Sequence, residues 1–224
     1  MQQKKVKTQD KVKKQCKHNS QEKQTEAAQC ENSNKPPEEF PTLLDVNHLP
    51  GPMCMKKLSH FGVFNQLTMH AGYSHKTATS TQGRSNIVSN LIPEESVACA
   101  FTAAWVWLGG DFPDNIEIID YGHRRSKPCG REIRSFRRQL SEDDYVVVGK
   151  ARITTPERTI CDLAYANKFN ESYDPYRKQV ASLLISHYCI DLQKCKQIIE
   201  NNPYFPGSVH ARNWLQNIVE ESKL

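Results

Sequence analysis

Three patterns predict an α+β fold, in which a small mixed sheet is flanked by helices, a helical segment closes the chain and a disordered tail opens it. Short runs that alternate apolar and polar residues, or are continuously β-branched, crowd between residues 95 and 154. Apolar spacing of three and four takes over from residue 174 onward. Before residue 42 neither pattern occurs. At 224 residues the chain has room for one main core with extensions.

Residues 1–41 read as a disordered basic tail. They are rich in Lys, Gln, Asn and Glu and carry no aromatic before Phe40, so they bury too little apolar surface to offset the entropy of ordering. Lysines such as Lys4, Lys5, Lys13 and Lys14 suit loose, salt-sensitive attraction to phosphates, or a solvated tail without a partner. Residues 42–83 form a short second segment. A stub of helix follows Pro52, Gly62 turns the chain into the strand-like VFNQL, and TMHAGYSHKTATSTQG reads as a loop. His70 and His75 in that loop have no flanking carboxylate or cysteine, so surface histidines are expected.

From Arg84 a third segment runs to residue 224. RSNIVSNLI predicts a short helix ending before Pro93, ESVACA an extended buried run, and FTAAWVWLGG a helix with a glycine stop. Trp105 and Trp107 are two apart, so at most one points deep into the core. NIEIIDY alternates as a half-buried strand, REIRSF alternates again, and DYVVVG has the β-branched run of a central strand. In ARITTPERTICDLA a strand gives way to a helix. Thr154 or Thr155 can cap it, Pro156 suits the first turn, and Glu157 is favoured by the helix dipole and completes a capping box if Thr154 is the cap. Arg158 and Asp162, four apart, share one face of that helix. Three further helices, near Asp174, Asp191 and Ser208, close the chain.

Chemistry-bearing patterns are few. No run approaches the about 18 apolar residues of a membrane helix, and the start lacks the apolar stretch of a signal peptide, so a cytoplasmic protein without a membrane partner is expected. The eight cysteines lack zinc spacing and read as reduced thiols, with Cys99 and Cys161 as small buried hydrophobes; neither metal nor cofactor is expected. Walker A, GxGxxG, HExxH and nucleophile-elbow motifs do not occur. Asp143 and Asp144 before a strand suit a metal-dependent nuclease, although Lys150 follows without the acidic residue such sites pair with it; ordinary turn residues are the simpler reading. Net charge is +5, and its densest source is HRRSKPCGREIRSFRR. Arg124, Arg125, Lys127, Arg131, Arg134, Arg137 and Arg138 read there as a basic patch around a β-hairpin, suited to phosphates or an acidic protein surface.

Two segments taken together resemble the AbiEi-type antitoxins of type IV toxin–antitoxin systems. One is Thr102, Ala103, Ala104, Trp105 and Gly109; the other is Thr155, Pro156, Arg158, Thr159, Asp162, Leu163 and Ala164, with a basic segment and an Asp-Asp-Val style stretch between them. The likeness spans residues 84–167. It implies a non-enzymatic transcriptional regulator whose C-terminal domain restrains a nucleotidyltransferase-like toxin and whose N-terminal winged helix binds operator DNA. Residues 42–83 lack the basic helix and Arg-rich wing of such a unit and read as a degenerate remnant. The motif residues, Arg158 and Asp162 among them, are expected to stabilise the fold, while the arginine patch meets the partner. A small metal-dependent nuclease using Asp143 and Asp144 is the rival reading, and an orphan remnant with neither partner is the third. The sequence sets no oligomeric state.

Overall fold

Proline and glycine punctuation shapes the first sheet of the computed structural model, which describes residues 41–122, 126–165 and 174–221. Strand β1 (Leu43–Asp45) is followed by helix α1 (Pro52–His60), then by β2 (Phe64–Thr68) and β3 (Ala71–Ser74). Pro52 opens α1 at a position whose amide would have no partner within the helix. The strands lie antiparallel in the order β1-β3-β2. Leu44, Met55 and Phe64 form a small core beneath them. Gly72 permits this closure, since a Cβ there would stand 2.8 Å from the Asn65 carbonyl oxygen.

The polar stretch read as a loop is instead structured. Its AGYS is the buried strand β3. Its serines are helix caps: Ser74 Oγ accepts from Thr77 N–H before α2 (His75–Ala78), and Ser80 Oγ accepts from Gly83 N–H before α3 (Thr81–Ser89). The boundary placed at residues 83 and 84 consequently falls inside α3. Ile87 and Val88 of that helix share a core with Leu67 and Tyr73 of the first sheet and with Trp105, Ile116 and Ile153 beyond. The described residues belong to one unit, Pro41 to Leu224, and of the tail assigned to residues 1–41 all but Pro41 lies outside them.

The second sheet is mixed, as expected, with order β6-β5-β4-β8-β7. Its strands are β4 (Val97–Ala98), β5 (Asn115–Ile119), β6 (Glu132–Phe136), β7 (Tyr145–Val148) and β8 (Ala151–Thr154). β4 runs antiparallel to β5 and parallel to β8, while β7 and β8 form a tight antiparallel pair. Helix α4 (Ala100–Leu108) lies between β4 and β5, α5 (Pro156–Ala164) follows β8, and α6 (Asp174–Tyr188), α7 (Leu192–Glu200) and α8 (Ser208–Glu221) complete the chain. Ile118 and Ile119 fall in different cores, so the sheet separates two apolar layers. The second layer is built from α5 to α8 and includes Ile160, Leu163, Leu184, Ile199, Trp214 and Ile218.

Three strand expectations are corrected. β5 is buried along Ile116–Ile119 rather than half exposed, because helices cover both sheet faces. β5 and β6 run parallel, so they are not the two arms of a hairpin. β7 lies at the sheet edge instead of its centre, with Val147 64% exposed. No helix among the described residues is long and apolar enough to cross a membrane.

Candidate functional site

At the β8–α5 junction, Thr155 caps the helix: its side-chain oxygen accepts from Arg158 N–H at 3.3 Å, and Pro156 occupies the first turn. With Thr155 as the cap, the alternative box of Thr154 and Glu157 does not form. Thr154 turns inward, its hydroxyl 2.8 Å from that of Thr159, and the Thr159 hydroxyl also donates to the Thr154 carbonyl at 3.2 Å. Both threonines are fully buried and satisfy each other.

One turn further, the helix presents Arg158 and Asp162 to an interior already holding two other charges. Arg158 Nε donates to Asp162 Oδ1 at 3.2 Å and Arg158 Nη1 to Asp144 Oδ2 at 3.3 Å. Arg138 Nη1 reaches the same Asp162 oxygen at 2.5 Å. Asp144 Oδ2 in turn accepts from the backbone and hydroxyl of Ser141, forming a capping box on the single turn Glu142–Asp144. Two guanidinium groups and two carboxylates therefore alternate in one buried cluster. Burial alone would push the Arg158 guanidinium down, but Asp162 and Asp144 more than reverse this and hold it above its ordinary value. The Arg138 guanidinium also lies 4.7 Å from the centre of the Phe136 ring, 5.2 Å from that of Tyr165 and 5.7 Å from that of Phe205.

The other motif half is tied to the same junction. Trp107 Nε1 donates to the Thr154 carbonyl at 2.9 Å. Thr102 Oγ1 accepts from Glu117 N–H at 2.7 Å, fixing α4 to β5, and Glu117 Oε2 caps the start of α4 by accepting from Phe101 N–H at 2.9 Å. Of Trp105 and Trp107 it is Trp105 that is buried, packed edge-on against Tyr73 and Phe112, with its indole N–H on the Gly110 carbonyl. Cys99 and Cys161 lie buried nearby, and desolvation pushes both thiols well above their ordinary value.

The basic segment is dispersed. Arg138 is a correction: it is 5% exposed and belongs to the buried cluster, not to a surface patch. Its neighbour Phe136 packs against the core, and position 138 follows it inward. Lys127 pairs with Glu132 at 2.8 Å and Arg131 with Asp114 at 3.0 Å. Arg134 and Arg137 are exposed on and just beyond edge strand β6. Arg124 and Arg125 lie outside the described residues.

Of the rival nuclease carboxylates, Asp143 is exposed and Asp144 buried in its bonds to Ser141 and Arg158. Among the described residues no group of three or more His, Cys, Asp or Glu side chains is placed to hold a metal ion. A groove of about 530 Å³ between α7 and α8, bordered by Leu192, Lys196, Arg212 and Leu215, holds none of the residues singled out in the sequence.

Sequence reasoning missed Arg84. Its guanidinium is buried and donates to the carbonyls of Val106, Ala78 and Trp107 at 2.8, 3.0 and 3.2 Å, closing the C-terminal end of α4. An arginine amid small and polar residues gives no local sign of carbonyls about 20 positions away. The site thus defines an α+β domain whose motif charges are internal. Compared with family models, with curated proteins and with solved structures, the chain matches none.

Proposed function

We propose that this chain is an antitoxin-like regulator that acts by binding, with a nucleotidyltransferase-like toxin as its protein partner and operator DNA as a second ligand. One observation carries the reading: the polar residues of the TPxRTxxDLA motif spend their charge on one another and on Arg138 and Asp144, inside the protein. Such a motif is architecture. Recognition is then left to exposed chemistry, and the exposed cations Arg134 and Arg137 at the β6 edge supply a surface suited to acidic groups. Lys127 and Arg131 extend it, their ion pairs with Glu132 and Asp114 each having at least one exposed member and so being readily exchanged.

The test is co-expression with the product of the neighbouring reading frame, scored by growth. Rescue by the wild type and its loss in Arg134→Glu/Arg137→Glu, with unchanged thermal stability, is the expected result. Rescue that survives this double charge reversal overturns the docking surface. Metal-dependent DNA cleavage lost in Asp143→Ala overturns the non-catalytic reading altogether. A promoter fragment titrated over a salt series reports the second ligand, because phosphate contact weakens steeply as salt rises.

A further inference from the structure

Edge strand β7 carries four uncharged residues, Tyr145, Val146, Val147 and Val148, at the rim of the five-stranded sheet. The direction of its free hydrogen bonds follows from its pairing. Tyr145 stands opposite Thr154 and Val146 opposite Ile153, and Thr155 N–H donates to the Asp144 carbonyl at 3.0 Å. In an antiparallel ladder, bonded and non-bonded pairs alternate. The Asp144 carbonyl and the peptide groups of Val146 and Val148 therefore face β8, and those of Tyr145 and Val147 point outward. No described residue donates to or accepts from these outward groups.

The two edges of the sheet differ. β6 presents Glu132 and Arg134, the kind of charges that discourage pairing with another strand. β7 presents none, and Val146 and Val147 are 40% and 64% exposed. Its charges stand only at the ends: exposed Glu142 and Asp143 precede it, and exposed Lys150 follows.

We propose that β7 is a self-association edge, which pairs antiparallel with the β7 of a second copy of this chain and joins two sheets across a two-fold axis. Outward groups must meet outward groups, so Tyr145 of each copy faces Val147 of the other in two bonded pairs. Val146 then meets its own counterpart on the axis. The antiparallel sense also sets the Glu142–Asp143 end of each copy beside the Lys150 end of the other, a charge match formed twice by symmetry. That match favours a second copy over an arbitrary extended segment. The contact is short, so the dimer forms and dissociates with concentration.

The test uses the full chain in three forms. Light-scattering mass over a dilution series is expected to rise from the monomer's 25.6 kDa toward twice that value in the wild type. Val147→Lys should hold the monomer mass throughout, with an unchanged circular dichroism spectrum because its side chain faces solvent. Val146→Cys places two thiols in a non-bonded antiparallel pair about 4.5 Å apart between Cα atoms, close enough for a disulfide. Mild oxidation should then give a 146–146 linkage identified by peptide mapping against wild-type background. A wild type that stays monomeric at every concentration overturns the proposal. So does a dimer that persists in Val147→Lys, or one in which Val146→Cys gives no such linkage.

Discussion

Asp162→Asn is the sharpest probe of the buried cluster. In the wild type two guanidinium groups face two carboxylates, and Asp162 Oδ1 serves both Arg138 at 2.5 Å and Arg158 at 3.2 Å. The side chains of Arg138, Arg158 and Asp162 are 5%, 4% and 0% exposed, so water gives them little relief. Removing one member of a buried pair costs about 3–5 kcal/mol. Asparagine keeps an acceptor oxygen, which puts the expected loss near the lower end, about 3 kcal/mol. That is a large share of the roughly 5–15 kcal/mol that holds a domain folded. Arg138→Met alone leaves two carboxylates for one cation and should also be costly. Combined, the two substitutions leave Arg158 with Asp144, one cation to one carboxylate. The double variant should accordingly be more stable than the two single losses sum to, by about 1–3 kcal/mol. Urea unfolding followed by tryptophan fluorescence, with matching slopes, reads all four corners of the cycle. A loss below about 1 kcal/mol for Asp162→Asn, or losses that add within about 0.5 kcal/mol, refutes the picture of a charge-balanced interior.

Two smaller perturbations test the two motif halves. Thr155→Ala removes the side-chain cap of α5 and should cost about 1 kcal/mol, while Thr155→Ser restores it; equal stability of the two variants counts against the cap. Glu117 is pushed above its ordinary value, chiefly by burial and against the opposing Phe101 N–H bond. A carboxyl raised in the folded state contributes stability that is full below its unfolded value and is lost as pH rises through the folded one. Relative to wild type, Glu117→Gln should therefore gain stability between acid pH and neutrality. A difference in unfolding free energy that is flat with pH, or that moves the other way, contradicts the burial of that charge.

Legibility in the sequence tracked how local the physics was. The Thr-Pro-Glu run marked a helix start because a cap, a first-turn proline and a dipole-matched acid act within one turn, and the structure places the start there. The choice between Thr154 and Thr155 was not legible, since it turns on which hydroxyl the buried Thr159 claims. The parallel pairing of β5 with β6 was hidden for a different reason. A run such as SKPCG looks like a hairpin turn, and only packing far along the chain decides that β5 and β6 pair parallel instead. Likewise, YVVV reads the same at the centre or rim of a sheet. The sequence groups Arg138 with its charged neighbours, and proximity along the chain says nothing about Asp162, which is brought to it by the fold of α5 against the sheet.

The placement of Arg138 has a consequence for how the domain divides its work. Its guanidinium joins the end of β6 to α5, while Arg158 joins α5 to the turn before β7. Strands β6 and β7 are the two opposite rims of the sheet, so a single helix turn fixes both rims through paired charges, while the Trp107 indole holds α4 to the end of β8 beneath it. Breaking the cluster should thus disturb the arginine-bearing rim and the valine-bearing rim together. Substitutions on either rim should leave the cluster, and the fold, intact. A variant of Asp162 that kept full stability yet lost binding at β6 would reverse this order and make the motif itself the recognition surface.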